Sequence, residues 1–233
     1  MLYLLKKTME ANLSQPTLFD AADTVTGAAE LFPEVWHATE GLSSPDLMVR
    51  RESLDRLIIL DAARLSPLVA YVVATRIFEP DLELRRRVVE VLGKIFLPDE
   101  TGKLTPPEVR IHLSAYCMLI ERRGVLSLLE VANAFPDSES QVAAILNVCS
   151  QSGAILAEVM SDRKLPLDIR HQAINFIGRV GFLDAIPALD RLKGRLESRI
   201  NGQKAMSFAP LSRGSETALL PVVQATLMLL KEP

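Results

Sequence analysis

Apolar residues recur every three or four positions along most of this chain, and the places where that pattern begins are chemically marked. After Ser44-Pro45, Leu47, Leu54, Leu57 and Ile58 keep a 3.6-residue period, with Arg51, Glu52 and Asp55 on the wet side. Serine followed by proline suits a helix start, because the hydroxyl caps a free N–H and proline needs no partner for the one it lacks. Ser66-Pro67 opens a second such run through Val69, Val72, Val73 and Ile77. Asp81 opens a third, through Val88, Val89, Leu92 and Ile95.

The same reading extends in both directions. Upstream, residues 1–12 form a short amphipathic helix, 19–31 are weakly helical, and Pro33 begins a helix that Gly41 stops. Downstream, Thr105-Pro-Pro-Glu108 is a capping box that restarts the helix after a loop at 98–104. Gly124 marks a break before a helix over 125–134, Ser138-x-x-Gln141 is a second capping box, and Gly153 ends or kinks the helix begun there. Pro166 begins a helix that stops near Gly178–Gly181, and the next runs from Leu183 towards Ile200. Residues 201–214 form a long connection to a last helix over 216–230, with Pro221 in its first turn or two. No segment shows strand alternation, so the fold class is all-α.

The helix starts also repeat. An apolar residue followed by arginine occurs at Val49-Arg50, Leu84-Arg85, Val109-Arg110 and Ile169-Arg170. The first two follow an aspartate, Asp46 and Asp81, and lie 35 residues apart. That is the length of one helical hairpin, so the chain reads as stacked helix pairs, with about six needed to use its length.

The stretch Asp81-Leu-Glu-Leu-Arg-Arg-Arg-Val-Val-Glu-Val-Leu-Gly93 resembles the second helix of a HEAT repeat. Asp168-Ile-Arg-His-Gln-Ala-Ile-Asn-Phe-Ile-Gly178 with Asp184-Ala-Ile-Pro-Ala-Leu189 resembles the end of one repeat and the start of the next. The likeness covers roughly residues 33–200 and is closest to the short HEAT-like repeats of phycobilisome lyases. It implies a right-handed α-α superhelix, a solenoid of about six hairpins over 33–233, capped by residues 1–32 at one end and by 216–230 at the other. It also implies a structural ladder in which Asp46 and Asp81 cap turns, while Arg50, Arg85, Arg110 and Arg170 bond acidic groups of adjacent repeats. Pro106 and Pro166 replace the aspartate in the last two copies, and Asp137-x-x-x-Gln141 is a degenerate copy with glutamine in place of arginine. Arg85 and Arg110 are only 25 residues apart, which leaves no room for a full intervening helix and predicts a bend near 97–106.

Composition narrows the function. Of 233 residues, 48% are hydrophobic but only 5% aromatic, so the core rests on Leu, Val, Ile and Ala, the side chains that let helix axes approach closely. Cys117 and Cys149 both lie in apolar helical stretches and read as buried small hydrophobes in a reducing compartment. The start Met1-Leu-Tyr-Leu-Leu-Lys-Lys reverses the order of a signal peptide, and the uncharged run 140–157 is interrupted by Ser, Asn and Gln. The expectation is a cytoplasmic protein with no membrane span. Net charge is -3, with an excess of -5 over 1–48 and of +4 over 162–204.

Chemistry is sparse. His37, His112 and His171 are scattered without metal-ligand spacing, and no phosphate loop, nucleophile elbow or metalloprotease motif occurs. No catalytic residue, metal or cofactor is assigned. Of Arg85-Arg-Arg87, one member joins the ladder while the others face water, and Trp36, the one tryptophan, lies in the acidic third, so nucleic acid is not expected. Met206, Phe208 and Leu211 place large apolar groups in the 201–214 connection, either covering the end of the array or docking a protein partner. The expected role is a non-catalytic scaffold or adaptor for a protein partner on the inner, second-helix surface. An enzyme or cofactor-handling accessory of the bilin-lyase kind and a subunit of a larger assembly are the alternatives.

Overall fold

In the computed structural model, residues 32–205 and 216–231 are described, and among them every regular element is helical. In chain order these are α1 (Pro33–Gly41), α2 (Leu47–Ile59), the single turn α3 (Ala62–Leu65), and α4 (Pro67–Ala74) with a 3-10 continuation, Thr75–Phe78. Next come α5 (Leu82–Phe96), α6 (Pro107–Cys117), α7 (Arg122–Ala134), α8 (Glu139–Val148), α9 (Ser152–Ser161), α10 (Leu167–Val180), α11 (Ile186–Ala205) and α12 (Leu220–Lys231). The chain is all-α.

Local chemistry accounts for the starts. The Asp46 carboxylate accepts the Met48 N–H at 2.8 Å, Ser66 Oγ accepts the Val69 N–H at 3.1 Å, and Asp81 accepts the Leu84 N–H at 2.8 Å. Each such cap is worth about 1 kcal/mol. Ser44, expected to cap α2, sits too early, and its hydroxyl accepts the Asp46 N–H instead. Neither expected capping box forms its N-cap bond. The residue before α6 is Pro106, which has no side-chain acceptor, and Thr105 Oγ1 accepts the Arg64 guanidinium at 3.0 Å. Ser138 Oγ turns to Glu90 at 3.2 Å.

Two glycines admit close neighbours. Gly124 lies inside α7 rather than at a break, because a Cβ there would stand 2.5 Å from Ile120 Cγ2. Gly93 lets α5 meet α8, where a Cβ would stand 2.5 Å from the Gln141 Cα. Helix α10 ends at Gly181 with φ 87°, and α11 continues to Ala205, beyond the expected stop near Ile200.

Helices pair along the chain: α1 with α2, α4 with α5, α7 with α8, α9 with α10, and α11 with α12. The second members also touch in order, α2 to α5, α5 to α8, α8 to α10 and α10 to α12. Helix α6 stands outside this count and packs on α4. No helix forms between Leu97 and Pro106, as the short Arg85–Arg110 spacing implied, and the chain re-enters on the first-helix side. Gln141 of α8, not Arg110 of α6, is therefore next after Arg85 in the second-helix row.

Leu, Val, Ile and Ala fill the space between the rows, and Phe176 is the one aromatic buried among the described residues. Both cysteines are buried and free, and hydrogen bonding between their thiols, with burial, holds Cys117 protonated well above the ordinary range. Among the described residues no single helix is long and apolar enough to cross a membrane. The uncharged stretch divides into α8 and α9, bent by 118° from one another.

Candidate docking surface on the second helices

The arginines expected to form a ladder take three different kinds of partner. Arg50 holds Glu79 with two bonds, Nη2 to Oε1 at 2.7 Å and Nε to Oε2 at 3.1 Å, and its Nη1 donates to the carbonyls of Ser44 and Pro45. Arg85 donates through Nε to the Glu79 carbonyl at 2.7 Å and through Nη1 to Glu130 of α7 at 2.5 Å. Glu79, buried and unmarked in the sequence pattern, is thus the node joining two successive second helices. Only its place just before Pro80-Asp81 hints at this role.

Arg170 is buried, with 2% of its surface exposed. It donates to the Met160 carbonyl at 2.8 Å and to Glu216 Oε1 at 2.6 Å, which ties α10 to the 3-10 turn leading into α12. Arg199 and Arg163 reach the other oxygen of Glu216 at 2.6 and 3.5 Å. Burial alone would raise the Glu216 carboxyl, but the surrounding guanidiniums, Arg170 foremost, hold it below its ordinary range. Arg110 differs, bonding among the described residues only the Thr105 carbonyl at the foot of its own helix, at 3.0 Å.

The triplet Arg85-Arg-Arg87 does not divide into one structural member and two wet ones. Arg86 bonds Glu83 and Glu90 and lies 5.3 Å from the centroid of the Phe135 ring. Arg87 reaches back to Asp55 of α2.

Where α2, α5 and α8 diverge, they leave a cleft of about 680 Å³. Leu57 and Ile58 of α2 and Val91 of α5 form its apolar walls, with Leu97 and Pro98 beyond the end of α5. The loop 98–103 closes one side. The Asp99 carboxylate accepts the hydroxyl and N–H of Thr101 and the N–H of Lys103, which hold its pKa down at about 2. Arg64 clamps this loop through Asp99 at 3.5 Å and Thr105 at 3.0 Å.

Three polar groups of the cleft differ from these. Asp61, in the turn between α2 and α3, has φ 48° and ψ 26°, the one left-handed non-glycine residue among those described. Its side chain is exposed and caps nothing, and desolvation beside the cleft wall pushes its pKa above the ordinary range against the pull of Arg64. Gln141 Oε1 is buried without a hydrogen-bond partner. Lys94 stands exposed on α5. A smaller recess continues along the same helix row, from Leu97 past Ser140, Ala144 and Asn147 to Arg179 of α10.

The three histidines are exposed and lie on α1, α6 and α10. Among the described residues no group of three or more His, Cys, Asp or Glu side chains could hold a metal ion. Neither cysteine lines the cleft. Met206, Phe208 and Leu211 lie outside the described residues, as do the helices expected over 1–12 and 19–31. No protein-family model, curated protein or solved structure matches this chain.

Proposed function

We propose that this protein is a non-catalytic scaffold or adaptor built as a HEAT-like α-solenoid, which binds a cytoplasmic protein partner along its second helices. The pairing of successive helices and the ordered contacts between second members support the solenoid reading. The observation that carries the functional reading is the cleft between α2, α5 and α8. It is concave and has apolar walls, and its exposed Asp61 and Lys94 side chains make no hydrogen bond or salt bridge with another described residue, which is the general character of a recognition site. The inward arginines, by contrast, are consumed in holding the pairs together.

Photo-crosslinkers placed at Ile58 and Ala144 on the second-helix face, and at Ala115 on α6, test the assignment in host cells. The same partner should be captured from the first two positions and not from the third. Capture from Ala115 alone would move the working surface to the other row.

A second reading, a subunit of a larger assembly, draws on α6. Ile111 on α6 and Met118 and Leu119 just past its end are 66%, 53% and 77% exposed, and Tyr116 of α6 meets the exposed Tyr71 of α4 edge to face. Large apolar groups clustered in this way are usual where a partner covers them. A monomeric mass in solution together with full solubility of the isolated chain would count against it.

A further inference from the structure

Arg76 is a cation that meets no anion. It stands half-buried in the 3-10 turn that continues α4, and among the described residues it forms no salt bridge, unlike Arg50, Arg64, Arg85 and Arg170. The one hydrogen bond its side chain makes among them runs from Nη2 to the Ser43 hydroxyl at 2.5 Å, and its Nε is buried with no partner. A guanidinium partly withdrawn from water and met by a single neutral hydroxyl keeps a charge and donors that an oxyanion would satisfy.

Ser43 lies exposed in the turn from α1 to α2, where its N–H meets the Glu40 carbonyl at 2.9 Å and that of Ser44 meets the Gly41 carbonyl at 3.1 Å. The other charges near this turn are engaged. Arg50 donates to the carbonyls of Ser44 and Pro45, and its charge is met by the buried Glu79. The Asp46 carboxylate accepts the Met48 N–H. Ser44 does not share the arrangement of Ser43, because its hydroxyl accepts the Asp46 N–H at 3.1 Å and no described guanidinium donates to it. An unpaired cation therefore touches the one exposed hydroxyl of the turn that can itself become an anion.

We propose that Ser43 is a phosphorylation site whose phosphate is held by Arg76, which pins the α1–α2 turn to the end of α4. In the transfer, catalysed by a protein kinase, Ser43 Oγ bonds the γ-phosphorus of a nucleoside triphosphate. The bond from that phosphorus to its bridging oxygen breaks, a nucleoside diphosphate departs, and the hydroxyl proton is released. The product carries nearly two negative charges and three acceptor oxygens, one bond beyond the atom Arg76 already meets. The inference stands apart from the scaffold reading, since no step of it needs a bound partner.

The test compares the full chain with and without phosphoserine incorporated at position 43, in the unsubstituted and Arg76→Gln backgrounds. Phosphate there should raise Tm by at least about 3 °C, and phosphorus NMR should find its second ionisation below the ordinary value of about 6. Both effects should vanish with Arg76→Gln, and phosphoserine at position 44 should show neither. In protein recovered from host cells with phosphatases inhibited, mass spectrometry should place phosphate on Ser43. A Tm that does not rise, a rise that survives Arg76→Gln, or phosphate absent from Ser43 overturns the assignment. Inorganic phosphate that stabilises the unmodified chain saturably, and fails to do so after Arg76→Gln, would make this a site for a free anion and overturn the modification.

Discussion

Arg170 should be the most costly of the four repeated arginines to remove. Its side chain is 3% exposed and that of Glu216 8%, so their 2.6 Å contact is screened little by water. Truncation to alanine strands the Met160 carbonyl, removes the packed aliphatic stem, and deletes one of the three cations on Glu216. Breaking a buried pair by deleting one partner typically costs about 3–5 kcal/mol. Here the lower half of that range applies, because Arg199 and Arg163 remain to neutralise Glu216. At roughly 2–4 °C per kcal/mol for a chain of this size, Arg170→Ala should lower Tm by about 6–16 °C.

Arg110→Ala supplies the contrast. Among the described residues Arg110 meets only the Thr105 carbonyl, so its loss should cost no more than about 1–2 kcal/mol. Thermal unfolding monitored by circular dichroism at 222 nm measures both, and a cycle with Glu216→Leu isolates the pair. Equal Tm losses for Arg170→Ala and Arg110→Ala would refute the reasoning. So would an Arg170→Met/Glu216→Leu double variant whose loss is the plain sum of the two singles, since contacting residues should couple by about 0.5–3 kcal/mol.

Gly93→Ala drives a Cβ to within 2.5 Å of the Gln141 backbone and should cost about 1–3 kcal/mol, whereas Gly194→Ala, in open space on α11, should gain up to about 1 kcal/mol; denaturant midpoints at unchanged slope decide both. Asp81, Glu83, Asp162 and Glu216 have carboxyls held below their ordinary range, and Asp99 lies at about 2. The unfolded chain therefore takes up protons first, and Tm should fall as pH drops from about 4 towards 2; a Tm constant through that window would contradict these pairings. Asp61 is shifted the other way, so its ionised form opposes folding at neutral pH. Asp61→Asn should raise Tm at pH 7, and the gain should vanish in acid, where both side chains are neutral.

Element type and most starts were legible in the sequence because each depends on near neighbours. The 3.6-residue period and the serine or aspartate before each run are local signals, and Ser66 and Asp81 fill the positions they suggest. What misled was competition for the same atoms. Thr105 and Ser138 have the spacing of capping residues, yet Arg64 lies near one hydroxyl and Glu90 near the other, and neither neighbour is visible in a window of four residues. Gly124 misled for a related reason: a glycine that admits Ile120 reads the same in sequence as one that breaks a helix.

The candidate site was less legible than the fold because its groups come from four separate segments, around Asp61, Lys94, Asp99 and Gln141. None belongs to a motif, and the repeat pattern draws attention to the arginines, whose partners lie within the stack. Helix α6 explains how the cleft and the irregular repeat are connected. By packing on α4, it lets the second-helix row step from α5 directly to α8, so the position that carries Arg50 and Arg85 falls on Gln141. An arginine there would bring a further cation to the cleft wall. Glutamine leaves a buried oxygen unsatisfied. The departure from the repeat and the unsatisfied acceptor are therefore one feature, and it lies on the wall of the α2–α5–α8 cleft.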